Sequence, residues 1–439
     1  MPASRAAERR AAATLARRCA HAVLGRVLRD GAYADRAFRA EADRFELDPR
    51  ERAFAQRLAY GTVQRLRTID WVIERMVNRP VGAIDSTVRD ALRIGVFQVV
   101  WLDGVPHHAA VDQAVELAAA DAPRARGFAN AVMRRASREA AGLVARLPED
   151  DPEAGALKHS HPDWIAAAWW EALGADDARE LLAHDNEPAE SAARANRLRA
   201  SRDLAVEVLR GEGAGARPDA GSSDGIVIDG AFDIHGSEAF ARGLVMPQSR
   251  GSMLVARVCD PRPGERVLDM CAAPGAKSTH LAALMEGRGK VVAIERDRAR
   301  ADDLRANCAR LGAGIVDVRT GDAREVVDRG GFDRVLLDAP CSDLGTLQSR
   351  PDARWRKNPE VIAGLVELQR ELLEAAVAQL RRGGVLVYST CTISPGENEE
   401  QMRGFLDGHP EFEADHPFRR LLPHRDGTDG FFIARLVRR

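Results

Sequence analysis

Two cysteines in the second half of the chain sit where a thiol can do chemistry. Cys341 follows an apolar run that closes on Asp338 (LLDAPCSD, 336–343), and Cys391 follows another (VYSTCT, 387–392). Each lies just past the C-terminus of an expected strand, on the edge where open parallel sheets bind ligands. Two thiols on that edge beside a carboxyl group suit nucleophilic, covalent chemistry. The plainer alternative makes both of them small hydrophobes in turns. Pro340 before the one and Thr390 before the other favour strand-end turns over core positions.

A second constellation precedes them. In VLDMCAAPGAKSTHLA (267–282) an apolar strand runs into the small residues Cys271, Ala272, Ala273, Pro274, Gly275 and Ala276, and a helix starts near Lys277. Small side chains let a ligand approach the backbone closely, and a helix N-terminus offers unpaired N–H groups to negative charge. The run is not a phosphate P-loop, whose spacing is absent. Glu295, at the tip of the next strand, can accept both hydroxyls of an adenosine ribose, and Asp322, in the turn after the third, stands where an acid can meet the adenine amino group. That pattern serves NAD and S-adenosylmethionine alike, and acids that merely end strands in solvent are the plainer alternative.

These residues need a sheet to hold them. Strands are expected at 265–270, 290–295, 315–320, 332–338 and 384–389, with helices at 278–284, 298–311 and 363–380 between them. Regular alternation implies a parallel sheet covered on both faces and doubly wound, in an α/β Rossmann-like domain. Upstream, 163–245 mixes helical stretches (164–173, 176–184) with strand-like ones (192–198, 225–228), and its GEGAGARPDAGSSDG run (211–225) reads as a flexible loop. The front, from residue 6 to about 142, has apolar residues three and four apart and no alternation, so it is all-helical. Breaks are expected at Gly31, at 78–80 and at 104–106. The chain is therefore multidomain: helices over 1–145, a small α+β segment over 146–245 and the α/β domain over 246–439.

Charge is segregated along the chain. Residues 1–140 carry 24 Arg, no Lys and 17 acidic residues, a balance of +7, which leaves the remainder near −9. Such a front faces either a polyanion or plain solvent. No apolar run approaches the length of a membrane span. The arginine-rich first thirty residues lack a secretory core; an organelle transit peptide is the minor alternative to an ordinary helix stripe formed by Leu15, Cys19, Val23 and Val27. Six cysteines without a C-x-x-C pattern fit a reducing, cytoplasmic setting, and no metal site is expected. His107, His108, Trp169, Trp170, Cys19, Cys259 and Cys308 read as structural.

DAPCS, STCT followed by ENE, and DMCAAPGAK together resemble the Sun-type (Nol/Nop/Sun) RNA cytosine-5 methyltransferases. The helical front is similar to a NusB-type RNA-binding domain through RERAFAQRLAYGTV, DALRIGVFQVVWLDGVPHHAAVDQAVELA and FANAVMRR. The joined layout is that of the family's bacterial small-subunit ribosomal RNA branch.

The resemblance implies that S-adenosylmethionine is the methyl donor. It lies along Cys271 to Lys277, with Glu295 on the ribose, Asp322 on the adenine and Asp338 beside it. Cys391 adds to carbon 6 of a cytosine, Asp338 holds or protonates ring nitrogen 3, and Cys341 assists release once carbon 5 is methylated. Lys277 either neutralises Asp338, contacts the base or caps the loop. The implied partner is 16S ribosomal RNA, free or in early assembly, bound by a monomer with no DNA or membrane partner. Transfer RNA or 23S RNA as substrate, or an assembly factor with a silent catalytic half, are the alternatives. The chain departs from the family pattern at Ala276, where a second glycine is usual, at Glu295, where Asp is commoner, and at VMPQSRGS (245–252), which lacks the usual Gln-Asp pair.

Overall fold

The computed structural model describes residues 13–325, 328 and 331–439. The first twelve residues, where the helical reading begins and part of the candidate transit segment falls, lie outside the described residues. The chain divides into two compact units, one reaching to Glu187 and taking in Arg350–Arg356, the other holding Pro188–Ser349 and Lys357–Arg439.

The first unit contains no strand among its described residues. Its helices run Leu15–Leu28, Ala34–Arg44, Pro49–Gln64, Leu66–Val77, Ser86–Trp101, His107–Asp121 and Arg126–Ala145, followed by Pro152–His159, Asp163–Leu173 and Ala175–His184. The expected breaks at Gly31, 78–80 and 104–106 all fall between helices. Local signals explain several ends. Asp48 and Asp85 accept the N–H groups of their first turns, Pro49 occupies the first helical position, and Asn78 closes its helix in the left-handed region. Leu58 and Val63 belong to one helix and Ile69 and Val72 to the next, since the backbone turns at Arg65. Val88, Leu92, Val96 and Val99 are buried together as one face.

A seven-residue strap from far along the chain, Arg350–Arg356, completes this unit. The fully buried Arg354 donates to the carbonyls of Gln64 (3.2 Å), Ser160 (3.2 Å) and Asp185 (3.0 Å) and to Oδ1 of Asn186 (3.1 Å). Trp355 Nε1 donates to Val63 O at 2.8 Å. Guanidinium donors thus bind carbonyls at helix ends, where no further helical turn supplies an N–H.

The second unit holds two sheets. The smaller is built from β1 (Ala192–Ala195), β2 (Gly215–Pro218), β3 (Gly225–Asp229) and β4 (Val245–Pro247), antiparallel in the order β2-β3-β1-β4. Strand β2 corrects the loop expected at 211–225. Ala216 is buried, and Arg217 pairs with Asp229 across the hairpin, so cross-strand partners order a Gly-rich segment with no apolar alternation of its own.

The larger sheet contains β5 (Arg266–Asp269), β6 (Lys290–Glu295), β7 (Val316–Thr320), β8 (Phe332–Asp338), β9 (Leu380–Thr390), β10 (Phe412–Ala414), β11 (Arg419–Leu421) and β12 (Phe431–Arg438). Its order is β10-β12-β9-β8-β5-β6-β7, with β11 on β12. Strands β5 to β9 are parallel, as the alternation predicts, and β12 adds antiparallel to β9. The apolar residues divide by parity between two cores, Leu268, Val335, Leu337, Leu386 and Tyr388 on one face, Val267, Leu336, Val385 and Val387 on the other. Helices Ala276–Leu284 and Arg298–Leu311 connect the strands on one side of β5, and Pro359–Gln379 connects β8 to β9 on the other. The topological switch therefore lies between β5 and β8, whose last residues are Asp269 and Asp338.

Candidate active site

Register brings the two thiols together. In the parallel pair β8 and β9, Asp338 stands opposite Ser389, so the turns that leave both strands emerge on one edge. Cys341 Sγ lies 3.4 Å from Cys391 Sγ, and Cys391 can donate its S–H to Asp343 Oδ1 at 3.2 Å. Cys341 is buried, while Cys391 is partly exposed. Asp343 holds a positive φ of 61°, the turn conformation that aims its carboxylate back at the sulfur. Gly345 N donates to Cys391 O, and Gly430 N to Gly345 O. A side chain on Gly345 would meet Gly430 O at 2.2 Å, so only glycine allows that packing.

One helical turn, Lys277 to His280, reaches four different neighbours. Lys277 Nζ donates to Asp338 Oδ2 at 2.7 Å, while Ser389 Oγ donates to Asp338 Oδ1 at 2.7 Å. Burial opposes the Lys277 charge, but the Asp338 carboxylate, together with Cys391 and Asp269, holds the ammonium above the usual lysine value. Of the roles open to Lys277, the geometry shows the contact with Asp338; its Nζ also lies 5.3 Å from the centre of the Phe431 ring. Ser278 Oγ donates to Asp269 Oδ2 at 2.6 Å, Thr279 Oγ1 accepts from the buried Arg194 at 3.0 Å, and His280 Nε2 lies 2.7 Å from Asp224 Oδ2. Burial and the nearby Arg194 push His280 down to about 4, so the ring is neutral at pH 7 and hands an N–H to Asp224. Asp224, also bound by Arg257, stays ionised.

The loop between β5 and that helix is tied down from outside. Arg300 donates to Ala273 O and Asn307 to Pro274 O, each at 2.9 Å. Gly275 caps the helix at φ 102°, facing Leu304. Cys271 is pushed above the usual thiol range by burial and then by the acids around it. Glu295 is buried at the tip of β6, where Oε1 accepts from Asp297 N at 2.9 Å and Arg300 approaches Oε2 at 3.6 Å. Asp322, in the turn after β7, is bound through both oxygens by Arg324, which holds its carboxyl down at about 2.

Sequence reasoning passed over Asp269, although an acid closing the apolar run before the loop was its signal. Burial raises its carboxyl to about 7, and Oδ1 has no hydrogen-bond partner. Asp343 was equally visible, two residues after Cys341, but its approach to the other thiol is a long-range fact. Cys19 and Cys308, pushed up to about 11 by burial, and Cys259, at about 12, are unreactive core thiols.

Comparison with known proteins adds what geometry leaves open. A family model described as 16S rRNA methyltransferase RsmB/F matches residues 256–437, a NusB family model matches 14–138, and a ferredoxin-like domain of RsmF/B-like methyltransferases matches 161–235. A Bacillus subtilis protein named probable ribosomal RNA small subunit methyltransferase B is 33% identical over 92% of this chain and 94% of its own length. The chain belongs to the ribosomal RNA small subunit methyltransferase B family. A Synechocystis relative of the same name is 34% identical over 96% of this chain and 99% of its own. Among solved structures, PH0851 superposes with a TM-score of 0.81 at 28% identity, covering 96% of this chain and 97% of that one. A methyltransferase homolog from Pyrococcus horikoshii matches at 0.58 and 29% identity over 65% of this chain and 98% of its own. Family membership makes the β5–β9 sheet a methyltransferase domain, and no described helix is long and apolar enough to cross a membrane.

Proposed function

We propose that this protein methylates carbon 5 of a cytosine in 16S ribosomal RNA, with S-adenosylmethionine as donor and Cys391 as the attacking thiol. The observation that carries the chemistry is the pair of thiols 3.4 Å apart on the edge that also presents Asp338. The names of the relatives support the substrate. The arginine-rich front would hold the RNA backbone. On this reading 1–145 bind RNA, 146–245 join the parts and 246–439 do the chemistry, in a cytoplasmic monomer with no DNA partner.

The residues present fit the donor. The unpartnered Asp269 Oδ1 is a buried acceptor beside the small-residue loop, suited to an ammonium group. Cys271, Ala272, Ala273, Pro274, Gly275, Ala276 and Lys277 would line it, Glu295 would take the ribose hydroxyls, and Asp322 would take the adenine amino group alongside Arg324. Bound there, the donor supplies a methyl group on a sulfonium sulfur.

The chain's own residues do the rest. Carbon 5 of cytosine is a weak nucleophile until electron density enters the ring. The Cys391 proton passes towards Asp343, its sulfur bonds carbon 6, and the electron pair of the 5,6 double bond moves onto carbon 5 and ring nitrogen 3. Asp338 holds nitrogen 3 and relays to it a proton from the Lys277 ammonium. After carbon 5 is methylated, the Cys341 sulfur as thiolate or a water takes its proton, the sulfur–carbon bond breaks with its electron pair returning to Cys391, and nitrogen 3 hands its proton back through Asp338. Cys341 assists that release. The base must leave any stack to reach this edge, which an unpaired loop makes easier.

The test incubates the purified protein and labelled donor with unmethylated small-subunit RNA, large-subunit RNA, transfer RNA and DNA. Label on cytosine carbon 5 in small-subunit RNA is expected. Label only in DNA, or on another atom of the base, overturns the proposal.

A further inference from the structure

Behind the two thiol turns lies a buried polar bracket. Glu397 and Asn398, at 0% and 1% exposure, occupy the junction between the short 3-10 turn Pro395–Glu397 and the helix Glu399–Gly408. Their side chains reach different turns. Glu397 Oε1 accepts from Ser342 N (2.9 Å) and from Gln369 Nε2 (3.0 Å), whose amide also donates to Pro340 O (2.9 Å). Glu397 Oε2 accepts from Ser342 Oγ at 2.5 Å. The residues on both sides of Cys341 are therefore anchored through one carboxylate.

Asn398 serves the other turn. Its Oδ1 accepts from Thr390 Oγ1 at 2.6 Å and its Nδ2 donates to Thr392 O at 3.0 Å, which fixes the residues on both sides of Cys391. A hydroxyl contact joins the halves, Thr392 Oγ1 to Ser342 Oγ at 2.6 Å. Since Ser342 gives its one hydroxyl proton to Glu397, it must accept from Thr392, so the chain of donors runs in one direction and ends on the carboxylate.

We propose that Glu397 and Asn398 are paired positioning residues, Glu397 for Cys341 and Asn398 for Cys391. The division of labour rests on the roles proposed above for the thiols. It makes the two steps separable: loosening Cys341 slows release of the methylated base, while loosening Cys391 slows the attack. Misplacement of a reacting group by about 1 Å costs on the order of 100-fold, so loss of either side chain is large.

Two readouts test this. With RNA and donor, Glu397→Ala is expected to accumulate a protein–RNA adduct that survives denaturation, and Asn398→Ala to form little adduct. In Glu397→Gln the amide oxygen still accepts from Ser342 N and Gln369, so the variant restores most of the release rate. Without RNA, the azo oxidant diamide closes a Cys341–Cys391 disulfide, taking two electrons and both thiol protons, and mass spectrometry follows the rate. Glu397→Ala is expected to slow closure about tenfold or more, and Glu397→Gln much less. Wild-type turnover in Glu397→Ala, or equal loss of adduct in both alanine variants with wild-type disulfide rates, overturns the proposal. If Cys341→Ala yields no adduct either, the assignment of attack to Cys391 and release to Cys341 fails, and the disulfide rates alone decide the bracket.

Discussion

Asp269 and Asp338 close neighbouring parallel strands, each after an apolar run, and consecutive residues of one helix bind them, Ser278 the first and Lys277 the second. Their surroundings nevertheless differ. Asp338 is a quarter exposed, with one oxygen on an ammonium and the other on a hydroxyl. Asp269 is sealed in, faces only uncharged donors, the Ser278 hydroxyl and the Cys271 backbone N–H, with Oδ1 left unbonded, and burial lifts its carboxyl to about 7. A third acid beside the same helix, Asp224, is as buried as Asp269. Burial alone would raise it, but the His280 N–H, Arg257 and Ser222 keep it far below the usual carboxylate range. The number and strength of the donors, rather than exposure alone, decide which buried acid stays charged.

The largest effect that sharpens this contrast is kinetic. Asp338→Asn keeps the shape and loses the charge that faces Lys277, and turnover is expected to fall by roughly 10²–10⁴-fold with donor affinity little changed. A fall confined to donor affinity would mean that Asp338 serves the donor and not the base. Next is stability. Arg257→Met leaves the Asp224 carboxylate short of a cation and is expected to cost about 1–3 kcal/mol in chemical unfolding; an unchanged midpoint would show that His280 suffices.

The smallest effect is a slope. If the donor's ammonium meets ionised Asp269, binding must expel a proton below about pH 7, so affinity weakens as pH falls, by at most about tenfold per unit. Above that pH the carboxyl is already ionised and the slope vanishes. Calorimetric titration across the range, repeated on Asp269→Asn, checks it. A wild-type slope that the substitution leaves intact would assign the proton elsewhere.

Much of this was legible before any coordinates. The five parallel strands announced themselves as apolar runs, and the thiols, Asp338 and the small-residue loop stood at their ends, because strand termini in such sheets are set by local sequence. What stayed hidden depended on contacts far apart in the chain. Strand β2 lies in a Gly-rich run whose order comes from β3. Arg354, in a basic RWR run, is buried among carbonyls contributed from residues 64 to 186. Glu397 stands in the ENE motif, but nothing in that motif says that its carboxylate grips a turn 55 residues earlier.

The central claim is that Cys391 carries the base and Cys341 lets it go. Incubating Cys341→Ala with small-subunit RNA and labelled donor, followed by denaturing electrophoresis, tests it most directly. The account predicts a labelled protein–RNA adduct that disappears when Cys391→Ala is added to the same chain. An adduct formed by Cys391→Ala alone, with Cys341→Ala inactive, would contradict it and exchange the two roles.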